Sequence, residues 1–199
     1  MTRIIAGLAG GRRLATAAGK TTRPTSDRTR EGLFSTVEVI RGGLAGAAVL
    51  DLYAGSGAVG LEALSRGAAD VLLVEADGRA AQVIRQNIAA IGLPGARLVA
   101  DKVERLLARG PDGATRDFVF ADPPYAVGAD EIDRMLTALV SQGWLAPGAL
   151  VAVERATRSG PLTWPVGYQS DRSRRYGDAT LWYGLAAGEQ PAATSPTGE

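Results

Sequence analysis

The chain has 199 residues, 22 basic and 21 acidic side chains, a net charge of +1, and neither cysteine nor histidine. That length suits one principal domain able to bury a core unaided, and the composition excludes a disulfide frame, Cys/His zinc sites, a cysteine nucleophile and a histidine general base. Whatever chemistry occurs must run on carboxylates, hydroxyls, backbone groups or a cofactor, and no metal is expected.

The small net charge conceals an asymmetry. Residues 1–30 hold Arg3, Arg12, Arg13, Lys20, Arg23, Arg28 and Arg30 against Asp27 alone, a balance of +6 that leaves −5 for the rest. A basic arm on a mildly acidic body suits a polyanion such as nucleic acid, although arginine outnumbers lysine 20 to 2 throughout and a compositional bias would produce the same feature. No run approaches the roughly 20 apolar residues of a membrane helix, and the first seven residues are too poor in apolar side chains for a secretory signal. A cytoplasmic protein without a membrane partner is expected, and a monomer, since no interface stands out.

Residues 3–14, RIIAGLAGGRRL, predict two short strands about a tight turn at Gly10-Gly11. After a Thr, Gly and Pro-rich stretch over 15–25, Ser26 or Asp27 caps a predicted helix to about Ile40, with Leu33, Phe34, Val37 and Ile40 on one face. Arg28 and Arg30 in its first turn oppose the helix dipole, which calls for an anionic ligand or a neighbouring carboxylate. From residue 47 apolar runs alternate with helical segments. Strands are predicted at 48–52, 71–75, 97–100, 118–121 and 150–153, and helices at 59–66, 79–91, 103–108 and 132–140. Apolar strands each followed by a helix indicate a mostly parallel α/β sheet covered on both faces. Tyr168 to Tyr176 and Ala179 to Leu185 pair as an antiparallel hairpin through Gly177-Asp178. Residues 187–199 lack large apolar side chains and read as a disordered tail. The organisation is thus a basic hairpin and helix over 1–40, a main domain over 41–186 and the tail.

The stretch DLYAGSGAVG, residues 51–60, contains Gly-x-Gly-x-x-Gly, which by itself fits a dinucleotide loop. Its context favours a different nucleoside. Ligands of open α/β sheets bind beyond the carboxyl ends of the strands, and there Asp51, Glu75, Asp101 and Asp122 stand, one per strand. Acids suit the sulfonium and ammonium groups of S-adenosylmethionine and would repel a pyrophosphate. Gly55 and Gly57 allow close backbone approach beside Tyr53, Asp51 helps to hold the ammonium directly or through water, and Glu75, next to Ala76, offers acceptors to the ribose hydroxyls. Asp101 accepts from the adenine amine beside the Lys102 N–H.

Asp122-Pro123-Pro124-Tyr125 is a stiff loop that has lost two N–H groups. Asp122 and the Pro123 carbonyl can accept both hydrogens of an exocyclic amine, biasing its lone pair out of the base plane, and Tyr125 offers a face for an extracted base. No general base is required, since the proton can leave after methyl transfer.

Together with RIIAGLAGGRRL, RPTSDRTREGLF, DLYAGSGAVGLEALSRGA and VEAD, this loop resembles the bacterial 16S ribosomal RNA guanine-N2 methyltransferases of the RsmD type, over about Arg3 to Leu185. The resemblance implies a Rossmann-like class I methyltransferase fold and transfer of methyl from S-adenosylmethionine to N2 of guanine 966, with S-adenosylhomocysteine as product. It implies cofactor contacts at Asp51, Gly55, Gly57, Glu75 and Asp101, and a catalytic loop at Asp122 to Tyr125. Arg12, Arg13, Arg23, Arg28 and Arg30 would contact RNA or order the cofactor pocket, with Arg3 and Lys20 in the same arm. A small reader of this kind is expected to recognise a shaped, protein-bound RNA in the small subunit or an assembly intermediate. The rival readings are DNA adenine-N6 methylation, which the same loop serves, and a non-catalytic RNA-binding protein on a methyltransferase-like fold.

Overall fold

The computed structural model describes residues 2–16 and 26–188; Lys20, Arg23 and the tail from residue 189 lie outside them. Chain order runs β1 (Thr2–Arg3), β2 (Arg13–Leu14), α1 (Asp27–Arg41), β3 (Ala48–Leu52), α2 (Ala58–Ser65), β4 (Asp70–Val74), α3 (Gly78–Ile91), β5 (Ala96–Val99), α4 (Val103–Ala108), β6 (Arg116–Ala121), α5 (Ala129–Ser141), β7 (Leu145–Ala156), β8 (Tyr168–Tyr176) and β9 (Ala179–Ala186). The seven-stranded sheet has the order β5-β4-β3-β6-β7-β9-β8. β3 to β7 are mutually parallel, and the β8-β9 hairpin adds antiparallel to β7.

The apolar strands are apolar because both their faces are covered. Val49, Leu73, Phe120 and Leu181 point to one face and pack with Leu33, Phe34 and Val37 of α1, Leu61 of α2 and Ile84 of α3. Leu52, Val74, Val119 and Val153 point to the other and meet Leu106 of α4 and Ile132, Leu136 and Leu139 of α5. α1 starts where expected: the Ser26 hydroxyl accepts from Thr29 N at 3.1 Å, and the helix stops at Gly42 in the left-handed region.

The edges of two strands differ from their apolar cores. β6 begins two residues early because Arg116, fully buried, pairs with Asp70, while Asp117 accepts the Ala48 N–H at 2.8 Å. β7 extends through the polar Glu154-Arg155 because its ladder with β9 continues to Ala156 opposite Ala179. Ion pairing and ladder partners keep polar residues in strands that an apolar pattern ends.

The N-terminal hairpin also differs from expectation. Its strands pair over only two residues each, and the connection is a wide loop rather than a two-residue turn at Gly10-Gly11. Backbone from this loop turns instead to α2: Ile5 N and Ala6 N donate to Glu62 at 2.6 and 3.0 Å, and Ala9 N donates to the Ser65 hydroxyl at 2.9 Å. Gly7 lies so close to the end of α2 that a Cβ there would stand 1.9 Å from the Ser65 carbonyl oxygen. Ile4, Ala9 and Leu14 consequently share the core of the sheet's α1 face.

Candidate active site

The chain runs from β3 outward to β4 and β5, then returns to the opposite side of β3 as β6. Connections diverge at such a reversal and open a crevice at the carboxyl ends of the strands. The strands end level there, Leu52 being opposite both Val74 and Ala121, and Val74 opposite Val99. The four segments singled out from the sequence therefore meet: 53–57, 75–77, 101–102 and 122–125.

The glycine loop holds its shape by backbone conformation. Gly55 and Gly57 have φ of 58° and 78°, and Tyr53, at φ 59°, is the single non-glycine residue with positive φ among those described. A bulky residue held left-handed costs of order 1–3 kcal/mol and persists where surroundings impose it. Gly60 meets a different demand, since a Cβ there would lie 2.9 Å from Leu73 Cδ2 and 3.0 Å from Asp51 Oδ2. It lets α2 press onto β3 and β4.

Glu75 reaches across to the loop. Its Oε2 accepts the Gly55 N–H at 2.8 Å and its Oε1 accepts the Asp77 N–H at 2.7 Å. Asp77 in turn caps α3 by accepting from Arg79 N and Ala80 N. Ala76 is exposed between them.

Two of the acids already carry partners within the chain. Asp51 is the penultimate residue of β3, shares the face of Leu73 and Phe120, and is only 1% exposed. Its Oδ2 accepts the Gly60 N–H at 2.8 Å, so it braces the first turn of α2 directly behind the glycine loop. Burial pushes its carboxyl up to about 7, against the lowering effect of the Gly60 hydrogen bond and with a further rise from Glu75. Asp101 is near the surface but engaged: Oδ1 accepts the Lys102 N–H at 2.8 Å, and Arg109 and Arg105 pair with the carboxylate. These partners, the backbone N–H first, hold its carboxyl below the usual range.

Across β3, the Asp122 N–H lies 3.4 Å from the Leu52 carbonyl oxygen, seating the second loop beside the first. Asp122 is half-buried, Pro123 buried and Pro124 exposed, while Tyr125 is 64% exposed at the mouth. Val127 N donates to the Pro124 carbonyl at 2.8 Å, turning the chain into α5.

The N-terminal arginines divide. Arg3, Arg13 and Arg28 are exposed. Arg12 is exposed too, but its guanidinium donates to the Ala90 and Ile91 carbonyls at the end of α3, at 3.1 and 2.6 Å. Arg30 is fully buried, bonded to the Arg3 carbonyl and paired with Asp27. It cannot face an RNA, and the carboxylate that compensates it in the first helical turn is Asp27.

Three residues that motif reading passed over join the arm to the site. Glu62 and Ser65 anchor the hairpin to α2, and Glu62 also pairs with Arg66 at 2.8 Å. Asn87 of α3, buried, donates to both the Ser56 and Ala15 carbonyls and accepts the Ala15 N–H. The available signal was position: Glu62 interrupts an apolar helix, and Asn87 occupies the stripe of Ile84 and Ile91. Among the described residues no cluster of three or more His, Cys, Asp or Glu is placed to hold a metal ion, and no helix is long and apolar enough to cross a membrane.

Residues 2–184 match the family described as Conserved hypothetical protein 95. The chain is 36% identical over 192 residues to Ribosomal RNA small subunit methyltransferase D of Escherichia coli strain K12, covering 96% of this chain and 93% of that protein. It is 33% identical over 165 residues to the protein of that name from Haemophilus influenzae, covering 82% of each. Among solved structures, the Escherichia coli protein yhhF, named as a methyltransferase, superposes with a TM-score of 0.81 at 33% identity, covering 94% of this chain and 98% of that one. Magnesium protoporphyrin IX methyltransferase from Synechocystis, solved with bound S-adenosylmethionine, shares the fold at a TM-score of 0.62 and 15% identity, over 80% of this chain and 79% of that one. The chain, with its mostly parallel sheet and terminal antiparallel hairpin, belongs to the RsmD family of methyltransferases on the class I fold.

Proposed function

We propose that the protein transfers a methyl group from S-adenosylmethionine to the exocyclic N2 of guanine 966 in 16S ribosomal RNA, within the small subunit or an assembly intermediate in the cytoplasm. The observation that carries this reading is the adjacency of β3 and β6, which sets Asp122 to Tyr125 beside the loop of Gly55 and Gly57. The names of the relatives supply the ribosomal target.

The residues present fit the cofactor. The positive φ of Gly55 and Gly57 leaves a cradle in which no atom lies within 4 Å of a Cβ built at Gly55. Glu75 would hold the ribose hydroxyls, with Ala76 beside it; Asp101 would accept from the adenine amine, with the Lys102 N–H, which donates to Asp101 in this structure, turning to a ring nitrogen; and Tyr53, Gly55 and Gly57 would line the methionine end. Asp51, behind the loop at the first turn of α2, would help to hold the ammonium directly or through water. When bound, S-adenosylmethionine supplies an electrophilic methyl group and departs as S-adenosylhomocysteine.

Asp122 and the Pro123 carbonyl would accept the two hydrogens of the guanine amine and direct its lone pair out of the base plane. The Asp122 carboxylate favours positive charge developing on that nitrogen. Tyr125 stacks on the base, a contact worth on the order of 1–3 kcal/mol. Proton loss follows to solvent, so the lack of histidine is no obstacle. Arg3, Arg13 and Arg28, with Lys20 and Arg23 of the same arm, would contact the RNA.

The test is incorporation of labelled methyl into naked small-subunit RNA, unmodified small subunits and adenine-containing duplex DNA, with the product base identified by mass spectrometry. N2-methylguanine at position 966 in the subunits is the expected result. N6-methyladenine in DNA, or no label in any substrate, would overturn the assignment.

A further inference from the structure

The β8-β9 hairpin carries a feature that the motifs do not absorb. Residues 154–178 contain Arg155, Arg158, Arg172, Arg174 and Arg175 against Glu154, Asp171 and Asp178. Glu154 is buried and Asp171 pairs with Arg172, while Arg158, Arg174 and Arg175 are exposed.

Register fixes where these cations stand. Ala121, the last residue of β6, is opposite Val153, so Arg155 lies two residues further towards the carboxyl ends, level with Pro123 of the catalytic loop. Arg155 is opposite Thr180, and Thr180 is opposite Arg175. Directly opposed residues of paired strands share a face, so Arg155, Thr180 and Arg175 form one row. That face is the one holding Val153, Val151 and the core of α5, into which the catalytic loop leads. With strands about 4.8 Å apart, the row extends from roughly 5 to roughly 14 Å beyond β6. Arg174, opposite Leu181, extends the charge to the other face of the same edge strand.

We infer that Arg155 and Arg175, with Arg158 and Arg174 around them, form an RNA-backbone docking surface that carries the strand flanking the target base. The inference rests on the ribosomal RNA reading of the active site. Arginine is the side chain suited to phosphate, through its fixed fork of donors, and a row beginning level with Pro123 borders the loop whose Tyr125 lies exposed at the mouth. The surface also adds to the arm, in which Arg30 is buried and Arg12 is bonded to α3, while Arg175 spends only its Nε on the Gly177 carbonyl. Charged side chains on an edge strand otherwise serve to prevent edge-to-edge pairing, a role that predicts altered solubility without altered RNA affinity.

The experiment compares the full-length protein with Arg155→Ala/Arg175→Ala and, as a charge-matched control, Arg85→Ala/Arg134→Ala on the exposed faces of α3 and α5. Salt-dependent binding of small-subunit RNA and steady-state methylation of unmodified subunits are measured on each. The docking variant is expected to lose about 1.5 from the slope of log K against log salt, at about 0.7 per single-strand phosphate contact. Its KM should rise at least tenfold with kcat within about twofold and cofactor affinity unchanged, and Arg155→Lys/Arg175→Lys should retain most of the slope. An unchanged slope, an equal loss in the control, or aggregation without loss of affinity overturns the inference. Arg175→Ala alone, on the exposed edge, gives the same test at half the slope change if the double variant folds poorly. Absence of methyl transfer to RNA by the unaltered protein would instead overturn the ribosomal reading itself.

Discussion

The Glu75 carboxylate accepts the Gly55 N–H at 2.8 Å, joining the acid at the end of β4 to the glycine loop after β3. One side chain thus holds the loop's shape, and in the proposed site it also meets the ribose hydroxyls. Glu75→Ala removes a charged hydrogen-bond acceptor, a change worth about 1.5–3 kcal/mol. S-Adenosylmethionine affinity by calorimetric titration should fall roughly 10- to 150-fold, and an unaltered affinity would remove Glu75 from the binding site.

Asp122 has a separable role. Asp122→Ala should lower kcat by on the order of 10²–10³, the usual consequence of losing one group aimed at developing charge, with cofactor affinity changed less than about threefold. Single-turnover methyl transfer together with cofactor titration separates the two effects. Equal losses in both would make Asp122 a binding group.

Glu62 is fully buried and accepts from two backbone N–H groups of the hairpin and from Arg66. Glu62→Ala leaves those donors unpaired and should cost about 2–5 kcal/mol of stability. Glu62→Gln, which keeps an acceptor, should cost less. Urea unfolding of the three proteins orders them, and equal stability of Ala and Gln variants would contradict the assigned bonds.

Asp51 makes stability depend on pH. Its folded carboxyl is raised from 3.8 to about 7, so between those values the folded protein keeps a proton that the unfolded chain has released. Stability contributed by this group is therefore greatest at low pH, falls as pH rises through that window, and is level above about pH 7. The accumulated difference is on the order of 4 kcal/mol. Asp51→Asn keeps an acceptor for Gly60 N and should remove the decline, so the variant gains on the parent between pH 4 and 7. Parallel urea midpoints across that range would reject the account.

Asn87 links the Ser56 and Ala15 carbonyls and thereby connects the cofactor loop to the N-terminal segment. Asn87→Leu, close in volume, leaves both carbonyls without that donor and should destabilise by about 1–3 kcal/mol per unsatisfied group. Cofactor affinity should fall with it. Thermal unfolding with and without S-adenosylmethionine gives both quantities, and a variant as stable as the parent would show that the bridge contributes nothing.

Much of this molecule was written in local pattern. Apolar runs of strand length separated by amphipathic helices specified the parallel sheet, because a strand covered on both faces tolerates few polar residues. Ser26 marked the start of α1 through capping chemistry that acts within four residues, while the end, expected at about Ile40, lies at Arg41 before a left-handed Gly42. The acids at strand ends, the two glycines and the Asp-Pro-Pro-Tyr loop pointed to the carboxyl edge of the sheet, since the ends of parallel strands share one edge.

What needed the tertiary structure was the fate of individual polar groups. Asp51, Arg30, Glu62 and Asn87 all carry polar side chains, and composition gives no indication that each is enclosed. Whether such a group faces solvent or a buried donor depends on partners 3 to 72 residues away in the chain, and only the packing of α2, α3 and the hairpin brings those partners together. The arginine row across β7, β9 and β8 arises in the same manner, because residues 20 apart in sequence become neighbours through strand register rather than through any local signal.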